Sequence, residues 1–179
     1  LNPRNHDVIF PYLNGDDVNS RPDQSASRNV INFFDWSEEK CLSEYPDIFS
    51  ILEARVKPER TRTNDEGEFV LRRPLPHKSW LYADKRPKLY STIRDYERVL
   101  VAPRVSKYVT FVFVPRRQVF MDKLVVVANN SDAGFAILQS SLHSDWASRY
   151  SSTLGASTIN YAPSDCFVTF PFPANFDAE

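Results

Sequence analysis

Three runs of sequence decide how this chain is read: Val99-Leu100-Val101-Ala102, Tyr108-Val109-Thr110-Phe111-Val112-Phe113-Val114 and Leu124-Val125-Val126-Val127-Ala128. Their β-branched and aromatic residues suit the pleated, half-buried surface of a sheet. The links between them are short and rich in turn residues. Such links favour antiparallel pairing, because a parallel crossover needs a dozen or more residues. Val119-Phe120 adds a short fourth strand. None of these runs approaches the roughly 18 apolar residues of a membrane-spanning helix, so no such span and no membrane partner are expected.

Upstream of the strands, Pro87 opens a helix expected to run to about Glu97, and Trp80-Leu81-Tyr82 reads as a strand edge. Residues 57–79 are polar and charged, with Asn64-Asp65-Glu66-Gly67 as a turn signal and Pro74 and Pro76 close behind. This segment is the expected mobile or DNA-facing loop. Further back, Ser37 followed by Glu38 and Glu39 has the form of a helix N-cap with acids in the first turn, and Pro46 restarts the helix at its own first position. Ile48, Phe49, Leu52 and Val56 then form one apolar stripe, expected to pack on the sheet and to fade near Pro58. Val30 to Phe34 reads as a short strand, and Asp7 to Arg28 as a long ordered loop. Downstream, Ser131-Asp132 caps a helix expected to continue to about Tyr150, with Phe135, Leu138, Leu142 and Trp146 on its inner face. A compact aromatic tail, Tyr161 to Phe172, completes one α+β domain spanning residues 1–179, with a mostly antiparallel sheet and flanking helices.

Composition limits what such a domain can do. The 179 residues are 42% hydrophobic and include 13 Phe, 8 Tyr and 3 Trp, which is enough apolar mass for a core and too much for a disordered chain. The four glycines, Gly15, Gly67, Gly134 and Gly155, cannot assemble a dinucleotide fingerprint or a phosphate-cradling loop. No nucleotide cofactor is expected within this chain. Cys41 and Cys166 are far apart and have no paired cysteine or nearby histidine, so they read as small core hydrophobes in a reducing compartment, with no zinc site. His6, His77 and His143 are scattered without ligand spacing, and His143 reads as a hydrogen-bonded structural residue. Leu1 is not a methionine and no apolar leader follows it, so the chain is expected to be a piece of a longer protein.

The formal net charge of -1 conceals an uneven distribution. From Arg55 to Arg117 there are 16 Lys plus Arg against 7 Asp plus Glu, a net of +9, which leaves 6 basic and 16 acidic residues elsewhere, a net of -10. Arginine, whose flat fork of donors matches phosphates and the guanine edge, supplies 15 of the 22 basic residues. A salt-bridged, solvated surface and a nucleic-acid surface both fit this pattern. Pro22-Asp23 with Glu38-Glu39-Lys40 matches the string of a metal-dependent nuclease, with Asp23, Glu38 and Lys40 as its parts, although Glu38 to Lys40 sits at a helix start and not on a strand. The chain contains no Pro-Pro, so it lacks the turn that holds an exocyclic amine in an amino-methyltransferase. No complete catalytic constellation is present.

Several segments in this order resemble one family. They are Val8 to Asp23 (Val-Ile-Phe-Pro-Tyr-Leu-Asn-Gly-Asp-Asp-Val-Asn-Ser-Arg-Pro-Asp), Val30 to Trp36, Val56-Lys57-Pro58-Glu59-Arg60, Arg104-Val105-Ser106-Lys107, Leu138-Gln139-Ser140-Ser141, Ser164-Asp165-Cys166-Phe167 and Thr169-Phe170-Pro171-Phe172-Pro173. Together they resemble the target-recognition region of type IIL (MmeI-like) N6-adenine DNA methyltransferase and restriction-modification enzymes. The resemblance implies a bacterial, cytoplasmic parent whose methyltransferase domain precedes this one and carries S-adenosylmethionine, with Mg2+ where a nuclease domain is fused. It implies double-stranded DNA and that methyltransferase domain as partners, no cofactor here, and sequence-specific reading of base edges. On this basis Arg104, Ser106 and Lys107 are expected at the DNA. Lys78, Trp80, Lys85 and Arg86 surround the loop before the Pro87 helix, and for Trp80 both core packing and DNA contact remain open. Arg21 and Arg28 border the opening loop, where Arg21 could instead tie the loop down through Asp17 or Asp23. Arg60, Arg62, Arg72, Arg73, Arg116 and Arg117 are expected phosphate contacts. The alternatives are a stand-alone nuclease and a protein-interaction domain whose basic middle meets an acidic partner.

Overall fold

Strand β3, Arg98–Pro103, is buried along its length after the first residue, and its alternate side chains feed two different clusters. Val99 and Val101 pack with Leu13, Val18, Ile93, Val114, Phe120 and Leu124. Leu100 and Ala102 pack with Phe111, Val125, Leu138, Ala147, Tyr161 and Cys166. The period of two along a strand makes this division, and it explains why the run is apolar at every position and does not alternate with polar residues.

The computed structural model describes residues 2–155 and 157–174. They divide into two compact units. The first takes the described residues up to Phe10 together with Asn29–Lys88, and the second takes Pro11–Arg28 together with the described residues from Leu89 onward. The α+β class and the mostly antiparallel pairing hold, with the pairing spread over small sheets.

In the first unit, a 3-10 turn at Pro3–Val8 leads into β1 (Ile9–Leu13), and β2 (Arg28–Ile31) is followed by α2 (Glu38–Glu44) and α3 (Pro46–Arg55). Ser37 accepts from the Lys40 amide, and Pro46 stands in the first turn of α3, as the sequence predicts. Ile48 and Phe49 are buried, but their stripe packs with Val8, Phe33, Cys41, Tyr45 and Leu81 and not on an extended sheet. The helix ends at Arg55, close to Pro58 as expected. After Val56, a separate turn, α4 (Lys57–Arg60), takes Pro58 near its start, where the missing amide costs nothing. Beyond it, Thr63 and Phe69 form a bridge around the Asn64–Gly67 turn, whose Asn64 side chain accepts from the Glu66 and Glu68 amides. Trp80 to Tyr82 is not a strand: the Leu81 amide donates back to Lys78 O in a turn, and the Leu81 carbonyl accepts from the Arg60 side chain. Cys41 is a buried free thiol pushed up to about 11 by burial.

The second unit holds the rest. The opening segment is more ordered than a loop: the end of β1 pairs parallel with β6 (Val119–Phe120), Tyr12 opposite Val119 and Leu13 opposite Phe120. Asn14 and Asp17 then form a reciprocal capping box that starts α1 (Gly15–Ser20). The Pro87 helix, α5 (Pro87–Thr92), stops short of Glu97. β5 (Val112–Pro115) and β7 (Leu124–Val127) flank β3 antiparallel, with Leu100 opposite both Phe113 and Val127. β4 (Val105–Ser106), β8 (Ser152–Leu154) and β9 (Thr158–Asn160) form another antiparallel sheet in the order β4-β9-β8. A last short helix, α8 (Pro163–Cys166), places Cys166 in the core as a free thiol.

The expected continuous helix from Ser131 is two helices, α6 (Asp132–Leu138) and α7 (Ser141–Tyr150). The break is chemical. The Gln139 side chain leaves the helix direction to accept from the Phe111 amide at 2.8 Å, and the Ser140 hydroxyl caps α7 by accepting from His143 N. The restart changes the helical phase, so Leu142 is 74% exposed while His143 and Ala147 are buried. His143 is fully buried, with Nδ1 3.0 Å from the Leu138 carbonyl and Nε2 3.1 Å from the Tyr161 hydroxyl. Since a carbonyl can only accept, Nδ1 carries the proton and Tyr161 donates to Nε2.

Two consequences are measurable. Burial lowers the His143 pKa below its ordinary value, so the unfolded chain binds a proton that the folded chain refuses. Stability should therefore fall as pH drops below about 6.5, and His143→Gln should flatten the urea midpoint between about pH 7.5 and 5.5 relative to wild type. At Gly134, an added Cβ would stand 2.5 Å from Asn129 Oδ1, which is fixed by Ser131 N and Oγ at 2.8 and 3.1 Å. Gly134→Ala should thus lower stability by roughly 1 kcal/mol, against the gain of similar size expected from helix propensity alone, as measured by denaturant melting.

Candidate nucleic-acid interface

Where β3 ends, the backbone is held on both sides. Arg104 N donates to Lys123 O at 2.8 Å, and Arg104 O accepts from Tyr161 N at 2.7 Å. β4 then pairs with β9, Val105 opposite Asn160 and Ser106 opposite Ile159. The segment beyond leaves the sheet earlier than a Tyr108–Val114 strand would, because the Ser106 hydroxyl donates to Tyr108 O and the Phe111 amide is taken by Gln139. The result is a short rigid base that presents Arg104, Lys107 and Tyr108 outward. Arg104 and Lys107 are exposed and make no ion pair among the described residues. Tyr108 is 68% exposed, with Lys107 Nζ 5.2 Å from its ring centroid.

α1 packs against β3 within the same unit, with Gly15 close to Pro103. This brings Val18 and Asn19 beside Ser106, Lys107, Tyr108, Thr110 and Val112, around an open cleft of about 390 Å³. Among the described residues, no carboxylate lines it. One ammonium, one carboxamide and three hydroxyl-bearing side chains edge an apolar floor, a set able to pair with the donors and acceptors of a base edge or to hold a phosphate. Ser106 and Lys107 were legible in the sequence as candidates; Asn19, Tyr108 and Thr110 were not. Asn19 belongs to a stretch that reads as turn chemistry, and only the capped helix turns it toward the cleft.

The remaining candidates of this unit separate. Arg21 is tied within its own loop, as one of its two readings expects: Nε donates to Ser25 Oγ at 3.1 Å and lies 3.7 Å from Asp23. Arg28 sits over the Tyr12 ring at 5.6 Å. Arg116 and Arg117 are exposed on the turn between β5 and β6, which Gln118 braces by donating to Pro115 O, and neither makes an ion pair among the described residues. Arg98, which the sequence did not single out, is structural: it donates to Asn130 O and Asp132 and lies 3.8 Å over Phe113.

In the first unit, three expected DNA contacts have structural duties. Arg60 is half-buried and donates from Nη1 to Ser79 O at 2.7 Å and Leu81 O at 2.5 Å, beneath the Tyr82 ring. Burial lowers its pKa, but a guanidinium remains charged, so it holds these two carbonyls as a fixed clamp. Trp80 resolves to core packing, with its indole donating to Trp36 O at 3.0 Å. Lys85 is ion-paired with Asp35. Arg86 has a positive φ of 45°, with its amide donating to Asp84 Oδ1 at 3.0 Å. Arg62 lies 3.6 Å from Glu59, whereas Arg72, Arg73 and Lys78 are exposed without an ion pair among the described residues.

Within its own unit, each residue of the nuclease string has a local setting. Asp23 is engaged with Arg21 and Ser25, Glu38 and Glu39 lie in the first turn of α2, and Lys40 Nζ lies 3.9 Å over the Trp36 ring. Among the described residues, no group of three or more His, Cys, Asp or Glu side chains could hold a metal ion.

Comparison with known proteins gives two findings. The family model described as MmeI, target recognition domain, matches residues 49–174. A solved structure described as "Structure of Type IIL restriction-modification enzyme MmeI in complex with DNA has implications for engineering of new specificities" superposes with a TM-score of 0.64 at 16% sequence identity. The likeness covers 96% of this chain and 21% of that one, so the chain spans about a fifth of the length of the protein it matches. No curated protein matches the chain.

The division of the arginines can be measured. Arg60→Met should destabilise the chain by roughly 2 kcal/mol, since two inward carbonyls lose a charged donor, whereas Arg62→Ala should stay within about 0.5 kcal/mol of wild type in the same denaturant melts.

Proposed function

This chain belongs to the MmeI target recognition domain family, and from that premise we propose that residues 1–179 form one recognition domain that reads duplex DNA through its second unit. It recognises, without catalysing. The observation that carries the reading is the cleft edged by Asn19, Ser106, Lys107 and Thr110, next to unpaired Arg104. A carboxamide suits the paired donor and acceptor of adenine, a cation suits the two acceptors of guanine, and hydroxyls accept either role. Arg116 and Arg117, and in the first unit Arg72, Arg73 and Lys78, would hold phosphates, which position the duplex without reading it. The parent we propose is a bacterial cytoplasmic adenine-N6 methyltransferase, with a fused nuclease as an option. It would hold S-adenosylmethionine, and any Mg2+, in domains outside this chain, and the recognition domain would direct it to its site.

The test is a set of substitutions in the full-length parent, read by methylation at every site of a sequenced genome. Lys107→Ala, Arg104→Ala and Asn19→Ala should each cost about 1 to 3 kcal/mol at the cognate site and relax one base position, whereas Arg116→Ala should weaken all sequences alike and reduce the salt slope by about one. Unchanged methylation at every site in all three cleft variants would sink the assignment.

A further inference from the structure

Helix α7 leaves one of its faces uncovered. Leu142 is 74% and Tyr150 46% exposed, and with Trp146 they stand at i, i+4 and i+8. The Trp146 and Tyr150 ring centroids lie 4.4 Å apart with their planes tilted by 44°, and Trp146 Nε1 donates to Thr169 Oγ1, next to Val168, which is itself 76% exposed. Leu142, Trp146 and Tyr150, together with Asp145 and Arg149, edge a shallow depression of about 590 Å³. Asp145 and Arg149 are four residues apart on this face, yet neither makes a salt bridge or a side-chain hydrogen bond among the described residues. The face therefore carries an apolar stripe with one unpaired charge of each sign beside it.

We propose that this face docks against the same face of a second copy of the chain, with the two α7 helices antiparallel. In an isologous contact each residue meets a partner across a twofold axis. An axis beside Trp146 puts Leu142 against the other copy's Tyr150 and the two Trp146 rings together, and brings each Asp145 within reach of the other copy's Arg149. The pattern is thus complementary to itself read backwards, and a partner of one charge sign would leave either Asp145 or Arg149 opposed. Duplex DNA is such a partner. The 10 residues of α7 span about 15 Å, so the buried area stays below the roughly 800 Å² per partner of a standard interface, and the dimer is weak. Its role is to associate copies already brought close, and it does not depend on how the second unit reads DNA.

Sedimentation equilibrium of the whole chain from about 10 µM to 1 mM tests this. Wild type should shift from monomer toward dimer over that range. Asp145→Arg and Arg149→Asp should each weaken association at least threefold, because each sets like charges together, whereas an equimolar mixture of the two should recover it by restoring both pairs. Leu142→Asp should abolish it. Circular dichroism melts should remain unchanged, since all three side chains are exposed. Wild type that stays monomeric throughout, or a mixture that associates no better than either variant alone, overturns the proposal. So does a Leu142→Asp variant that loses DNA binding while its association is unaltered, which would assign the face to DNA.

Discussion

Burying β3 on both faces is the constraint on which the second unit depends. Val99 and Val101 on one side and Leu100 and Ala102 on the other give two clusters a common wall. A slip of one residue in its pairing with β5 and β7 would exchange those faces. Because both faces are filled, Val99 to Pro103 are all apolar, and the first polar residue after exposed Arg98 is Arg104, just past Pro103. The strand therefore fixes where a positively charged, exposed turn can begin. It also fixes α1, whose approach at Gly15 places Asn19 beside Lys107.

The arginines illustrate how little residue type alone decides. Arg60 and Arg104 are both cations of the basic middle, and in sequence nothing distinguishes a phosphate contact from a clamp. Three-dimensional placement does. Arg60 donates to two carbonyls of its own unit, while Arg104 has its backbone engaged on both sides and its side chain in no ion pair among the described residues. The same reasoning moves Trp80 and Lys85 to structural roles through Trp36 and Asp35. The converse holds for Asn19, a residue with no distinctive sequence context that acquires a candidate role from its neighbours.

Local signals were sound where one or two side chains suffice to make the structure. Ser37 capping, the restart at Pro46, the buried His143 and the two core thiols were all legible. They failed where a distant group competes for the backbone or the side chain. Gln139 leaves its helix because the Phe111 amide, 28 residues away, offers a better partner, and the resulting phase shift turns Leu142 outward. That one hydrogen bond creates the open α7 face. Likewise, the Tyr108 end of the expected strand is drawn off by Ser106, and Tyr12 and Leu13 find Val119 and Phe120 more than a hundred residues on.

What the sequence determined by itself was the class of fold and, through the resemblance of its motifs, the family, because periodicity, caps and motif order are properties of neighbours along the chain. The tertiary structure alone decided which charged residues remain free, that the chain divides into two compact units, that the inner face of the last long helix changes at Ser140, and that α1 completes the cleft. Each of these depends on which donor meets which acceptor across tens of residues. That pairing is settled by the burial of β3 and its clusters, and no local pattern records it.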